Sequence, residues 1–228
     1  MSETEIRIVL LSLRVAGVAI VIALPLAFAV AWLFARKEFP GKSVAQSLIM
    51  LPLVVPPVVT GYGLLILFGT QGPVGGPLRD WLGFVFAFRW TGAALAAGVM
   101  AFPLLVRPIR LSLEAVDPSL SEMARTLGVG RFRRFLTITL PLSLPGLIAG
   151  GILGFAKALG EFGATITFVS NVPGETQTLS LAIYSLLQSP SGDAAALRLI
   201  GFSVALALGA VIVSELVQKR LGAGVAGT

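Results

Sequence analysis

Three stretches of this 228-residue chain carry residue types at spacings that could do chemistry. Gly41-Lys42-Ser43 copies the end of a phosphate-binding loop, in which backbone amides cradle a nucleotide's phosphates and a lysine neutralises them. That pattern needs a glycine five residues before Gly41, where Arg36 stands, and a preceding strand where a long apolar helix is expected. The motif fails on both counts, and the chain is expected to bind no ATP. Lys157 and Glu161 stand four apart, the interval at which opposite charges pair across one helical turn. The third stretch, Asp117 to Gly128, carries its own helix punctuation. Asp117 suits the cap and Pro118 the first helical position, while Ser119 with Glu122 can form a capping box. Leu120, Met123, Ala124 and Leu127 recur on one helical face, and Gly128 supplies a left-handed stop. Such a stripe must be buried on lipid headgroups, on the chain's own helix ends or in a groove of a partner. With no cysteine and no histidine there is no thiolate or imidazole site, and no catalytic or metal-binding residue is assigned.

The elements that position these stretches follow from composition. Hydrophobic residues make up 56% of the chain and charged residues 12%, too little polar surface to clothe a water-soluble globule of this size. In lipid every backbone amide must bond within its own segment, so the uncharged runs are predicted to be helices. With about 20 residues needed per crossing, five spans are expected at about 8–35, 44–69, 88–110, 135–158 and 194–217. A cytoplasmic loop is expected over 111–134, with 1–228 forming a single transmembrane domain. The first span ends at Arg36-Lys37 and is too long for a cleaved signal peptide. The third is short, with Phe84 to Phe88 available to extend its apolar end. Pro52, Pro56 and Pro57 predict a kink or local unwinding in the second. Residues 178–187 are apolar but too short to cross, the stretch 171–176 reads as a turn, and a frayed tail is expected over 222–228.

The net charge of +6 is better explained by membrane orientation than by nucleic acid, for which no motif exists. With the N-terminus outside and the C-terminus inside, the inner segments hold Arg36, Lys37, Lys42, Arg107, Arg110, Arg125, Arg131, Arg133, Arg134, Lys219 and Arg220, most of the seventeen basic residues.

The ordered set Glu122-Met123-Ala124, Gly128, Ile138, Leu140 and Pro141 resembles the Glu-Ala-Ala loop of bacterial ABC import permeases, departing only in Met123 for the usual alanine. A narrower resemblance, to molybdate permeases, spans nearly the whole chain. It rests on Phe39 to Lys42, Leu51 to Pro57, Ala124 to Gly128, Leu159 to Thr165 and Ser170 to Thr176. Sulfate and tungstate permeases share the Gly160-to-Ala164 run, so that run alone does not choose the anion.

The resemblance implies an all-α integral membrane protein with the type I ABC importer permease fold: about five transmembrane helices and a cytoplasmic coupling helix, in the bacterial inner membrane. It also implies ATPase coupling through Glu122, Met123, Ala124, Leu127 and Gly128. The implied partners are a pair of cytoplasmic ABC ATPase subunits, which bind ATP and Mg, an external substrate-binding protein, a second copy of the chain and the lipid bilayer. For an oxyanion cargo, the hydroxyls and amides of Thr165, Thr167, Ser170 and Asn171 are expected neighbours, since they donate hydrogen bonds without trapping it by charge. A bare Glu161 carboxylate would repel the anion, which favours a packing role for it. The rival readings are a secondary transporter, which calls for ionisable residues at span centres, and a scaffold, in which Gly146, Gly150, Gly151 and Gly154 serve close helix packing.

Overall fold

Long apolar runs without water must satisfy their amides internally, and the computed structural model, which describes residues 2–190 and 192–225, consists of helices. In chain order they are α1 (Glu3–Arg36), α2 (Lys42–Val54), α3 (Pro57–Phe68), α4 (Gly75–Leu82), α5 (Trp90–Glu114) and α6 (Pro118–Thr126). There follow α7 (Arg131–Arg134), a π-helical turn (Phe135–Thr139), α8 (Leu140–Leu159), α9 (Gly163–Val169), α10 (Leu179–Leu187) and α11 (Asp193–Val225). Among the described residues four helical stretches are long and apolar enough to cross a membrane: α1, α5, Arg131–Leu159 and Asp193–Val213. A fifth crossing is reached only by counting α2 and α3 together, although they meet at 112°.

That bend is sharper than a kink, and its cause is local. Pro56 and Pro57 remove two consecutive amide donors, and the residue before a proline is driven out of the helical region. Val55 accordingly lies extended at φ −73°, ψ 140°, and α3 restarts with Pro57 in its first turn. Pro25, Pro52, Pro103, Pro108 and Pro145, by contrast, sit inside helices that continue through them.

The core is centred on α5, which packs along both α1 and α8. The N-terminal half of its buried face is mostly small, with Ala93, Ala94, Ala96, Ala97 and Ala101 all buried, so helices can approach closely there, while Leu105, Ile109 and Leu113 fill the C-terminal half. The glycines of α8 allow an equally close approach. A Cβ on Gly146 would stand 2.4 Å from Cβ of Ser112 and 2.5 Å from the Pro108 carbonyl oxygen, and one on Gly150 3.0 Å from that of Leu105. Gly154 faces Leu105 and Ile20, whereas Gly151 meets only Leu24 at 3.9 Å. Three of the four expected packing glycines thus lie at tight contacts, and Gly151 has room.

Several boundaries move. The third span begins at Trp90 and runs to Glu114, so it is lengthened at its C-terminal end rather than by Phe84 to Phe88. Those phenylalanines form an aromatic cluster, Phe86 lying edge-on to Phe84 at 4.8 Å and to Phe68 at 5.5 Å. The segment expected as a loop over 111–134 is helical in 111–114, 118–126 and 131–134. The 178–187 stretch is the short helix α10, docked on α1 by the Leu179 N–H donating to Ser12 Oγ at 2.7 Å. A second tie to α1 comes from α11, where Arg198 Nε donates to Glu5 at 2.9 Å. Of the expected tail, 222–225 continues α11 and 226–228 lies outside the described residues, as do the side chains of Lys219 and Arg220.

Replacing Gly146 by Ala should overpack the α5–α8 contact at a cost of about 1–3 kcal/mol, whereas Gly151→Ala should be near neutral. Thermal unfolding of the detergent-purified protein distinguishes the two, and equal melting temperatures would refute this account of the interface.

Candidate functional site

Two sites emerge, one on α6 and one where α3 meets α9. The sequence around α6 fixes both ends of that helix. The Asp117 carboxylate accepts from the Ser119 N–H at 2.8 Å, and that bond holds the Asp117 carboxyl below the ordinary carboxylate range. The cap is therefore present at neutral pH and is lost only as pH falls through that lowered value. Ser119 is thus the cap's donor, so the expected Ser119–Glu122 box does not form. A full capping box forms instead at the start of α1, between Ser2 and Glu5. At the other end Gly128 takes φ +79°, the Gly128 N–H donates to the Arg125 carbonyl and the Val129 N–H to that of Ala124, both at 3.0 Å. This is the paired 5→2 and 6→1 bonding of a Schellman stop, which a residue with a Cβ adopts only with strain.

Rigidly ended, α6 leaves its apolar residues uncovered: Leu120 is 40% exposed, Met123 60% and Leu127 81%. Ala124 is half-buried and Glu122 exposed. The five residues expected to act together thus sit on one nine-residue helix and its stop, whose main contacts among the described residues are with α7 and the π-turn.

The second site joins two sequence motifs that lie about a hundred residues apart. A Cβ on Gly61 would fall 2.5 Å from the Ala164 carbonyl oxygen and 2.9 Å from Thr167 Cβ, and one on Gly163 2.7 Å from Pro57 Cβ. Backbone contact of this kind requires the small residues found there. Glu161 is buried at 2% exposure, and both carboxylate oxygens are engaged, one by the Lys157 ammonium and the other by the Ala164 N–H at 3.1 Å. It therefore ties α8 to the first turn of α9.

The four expected oxyanion neighbours are divided by the structure. Thr165 is buried at 2% exposure, and the half-buried Thr167 donates its hydroxyl to the Gly163 carbonyl at 2.9 Å. Asn171 Nδ2 donates to Ser185 Oγ and, at 3.4 Å, to the Leu181 carbonyl, anchoring the turn to α10. Ser170 alone of the four is exposed, at φ +62°, ψ −163°. That region is almost confined to glycine and costs about 1–3 kcal/mol. Thr176 holds it in place, its hydroxyl donating to the Ser170 carbonyl at 3.1 Å while accepting from the Val172 N–H at 2.8 Å. Sequence reasoning missed the Gly61–Ala164 contact and the strain at Ser170. The pair Gly61 and Gly63 in α3 was the available signal for the contact, and nothing local signals the strain. Among the described residues no group of three or more acidic side chains comes together as a metal site.

A family model described as a binding-protein-dependent transport system inner membrane component matches residues 19–223. The chain is 55% identical over 215 residues to the molybdenum transport system permease protein of Escherichia coli (strain K12), covering 94% of each. It is 54% identical over 217 residues, 95% of each, to the corresponding protein of Haemophilus influenzae. A sulfate transport system permease protein of Escherichia coli (strain K12) is 34% identical over 205 residues, 86% of this chain and 70% of that one. Among solved structures, a bacterial ABC transporter involved in the import of the acidic polysaccharide alginate superposes with a TM-score of 0.73 at 18% identity, covering 96% of this chain and 80% of that one. An amino acid ABC transporter gives 0.63 at 19%, with 95% and 94% covered. At such identities the structures speak for the fold alone.

Glu161→Ala should leave the Ala164 N–H and the Lys157 ammonium without their acceptor, destabilising the protein by about 1–3 kcal/mol. Glu161→Gln retains an acceptor for Ala164 and should recover part of that loss. A Glu161→Ala protein melting with the parent would refute the tie between α8 and α9.

Proposed function

The chain belongs to the family of binding-protein-dependent transport system inner membrane components, and from that membership we propose that it is the membrane-spanning permease subunit of an ATP-driven molybdate importer. The observation that carries the reading is α6, a helix locked at both ends that presents Met123 and Leu127 uncovered. An apolar face held rigid in water implies a partner groove. In this proposal the groove belongs to a cytoplasmic ATPase subunit, which puts α6 and the C-terminus inside and the N-terminus outside. Ala124 permits close approach, Glu122 pairs with a basic group of the ATPase, and Gly128 turns the chain back toward the membrane.

Two copies form the pathway and each docks one ATPase, giving a symmetric pair one helix apiece. The exposure of α2, which buries none of its residues within the chain, supports a further covering by a second copy and lipid. An external binding protein delivers the anion to the outer face. ATP binding closes the ATPases and rocks α6, opening the pathway outward, and hydrolysis resets it. ATP and Mg belong to the ATPase, and this chain contributes no catalytic group.

For the cargo, the relatives named for molybdenum transport support molybdate, and the sulfate permease at 34% identity supports the wider class of tetrahedral oxyanions, tungstate included. Ser170, with its exposed hydroxyl on strained backbone, is the foremost of the four anion neighbours, ahead of Asn171, Thr167 and Thr165. Neutral donors there would bind a dianion without holding it too tightly to release.

Two experiments test these assignments. Glu122→Lys and Gly128→Val should each reduce uptake at least about tenfold, the penalty of a reversed interfacial charge or a left-handed valine, with loss of the co-purifying ATPase. Unchanged uptake and unchanged co-purification would reject the docking role. In the reconstituted complex, ATP hydrolysis should rise with molybdate-loaded binding protein and not with a sulfate-loaded one, and stimulation by sulfate alone would reassign the cargo.

A further inference from the structure

At the α6 end of the bundle a cavity of about 720 Å³ opens between the last turn of α1, the start of α6 and α7. Its size falls within the roughly 300–1,000 Å³ of small-ligand sites. Four cations line it, Arg36, Lys37, Arg131 and Arg134, against the single carboxylate of Glu122. Among the described residues none of these five side chains has an opposite charge within salt-bridge distance, although five such pairs form elsewhere. Two of the guanidinium groups are held in place by backbone acceptors. Arg134 Nη1 donates to the Ser121 carbonyl at 3.0 Å and Arg36 Nη2 to that of Val116 at 3.4 Å. Arg134 Nε is buried with no acceptor at all.

Gathering four like charges around one hollow costs free energy, and a buried, unsatisfied guanidinium N–H adds to it. An anion seated in the cavity would offset both, with arginine forks suited to a phosphate. The surroundings indicate what carries that phosphate. The lining includes Trp32, an aromatic of the type that settles at headgroup depth, and the apolar Phe135, where two membrane-crossing stretches end. Their chain neighbours Leu33 and Leu136 are exposed apolar residues, at 41% and 43%. A phosphate with an acyl tail satisfies the cations and covers these residues, whereas free phosphate satisfies the cations alone.

We propose that this cavity is a binding site for the headgroup of an anionic phospholipid, which bridges the end of α1 to α6 and α7. A lipid there neutralises the cluster and braces α6 in the pose from which it meets its partner. The site makes the coupling helix sensitive to the charge of the surrounding leaflet. It stands apart from the anion pathway at α3 and α9, and its existence does not depend on which cargo is carried.

The test uses the complex of this chain with its ATPase, purified in a mild detergent and stripped of lipid. Native mass spectrometry and thermal unfolding are followed on addition of phosphatidylglycerol, phosphatidylcholine or inorganic phosphate at matched concentrations. Phosphatidylglycerol should be retained and should raise the melting temperature above that reached with phosphatidylcholine. Lys37→Gln with Arg131→Gln, both on exposed side chains, should weaken that retention about thirtyfold, the headgroup attraction of two basic residues. Arg7→Gln with Arg89→Gln, which removes equal charge away from the cavity, should leave it unchanged. Equal retention of the zwitterionic lipid, full stabilisation by inorganic phosphate alone, or indifference to the Lys37 and Arg131 changes would each overturn the proposal.

Discussion

Helices in a bilayer gain little from hiding apolar surface from one another, since lipid is as apolar as leucine, and must hold together through close fit. In this chain the fit is made on α5. Its Leu105, Pro108 and Ser112 meet the Gly146, Gly150 and Gly154 edge of α8, bringing two backbones to distances that leave no room for a Cβ at Gly146. The other elements are placed relative to that pair: α1 along both of its helices, α10 and α11 tied to α1 through Ser12 and Glu5, and α9 tied to α8 through Glu161. The few buried polar groups thus work as connectors between helices that packing alone would leave free to slide.

The irregular backbone is equally purposeful. The break at Val55-Pro56 exposes groups that a spanning helix would have satisfied, and such breaks are tolerated where protein covers them or a watery path runs. Here α3, beyond the break, lies against α9, and the chain leaves α9 through the strained Ser170. Bend, close contact and strain therefore converge on one region, as expected where a fold holds unfavourable local geometry for a purpose.

What could be read from the sequence divides along the same line. The stop of α6 was legible because Gly128 acts within one turn, and Lys157 with Glu161 because a helix fixes their separation. Asp117 and Ser119 competed for the same cap, and only geometry shows that Asp117 took it. The five apolar runs are visible by length, and the prolines of the second announce a kink or unwinding without revealing that the chain turns there through 112°. The Gly61–Ala164 and Gly163–Pro57 contacts join segments about a hundred residues apart, which no local pattern encodes. Of the anion neighbours, residue type gave hydrogen-bonding capacity but not direction, and Thr165 proves to face the interior.

Between α7 and α8 the chain never leaves helical geometry, passing through one π-turn in which the Leu140 N–H reaches back to the Phe135 carbonyl. Arg131 to Leu159 is thus a single strut of 29 residues with a widened coil near its base. A strut without a break resists bending, so its two ends move together except for rotation about its own axis. The widened coil is the natural place for any twist to be absorbed, because shifting one hydrogen bond there changes the strut's rotation without breaking it.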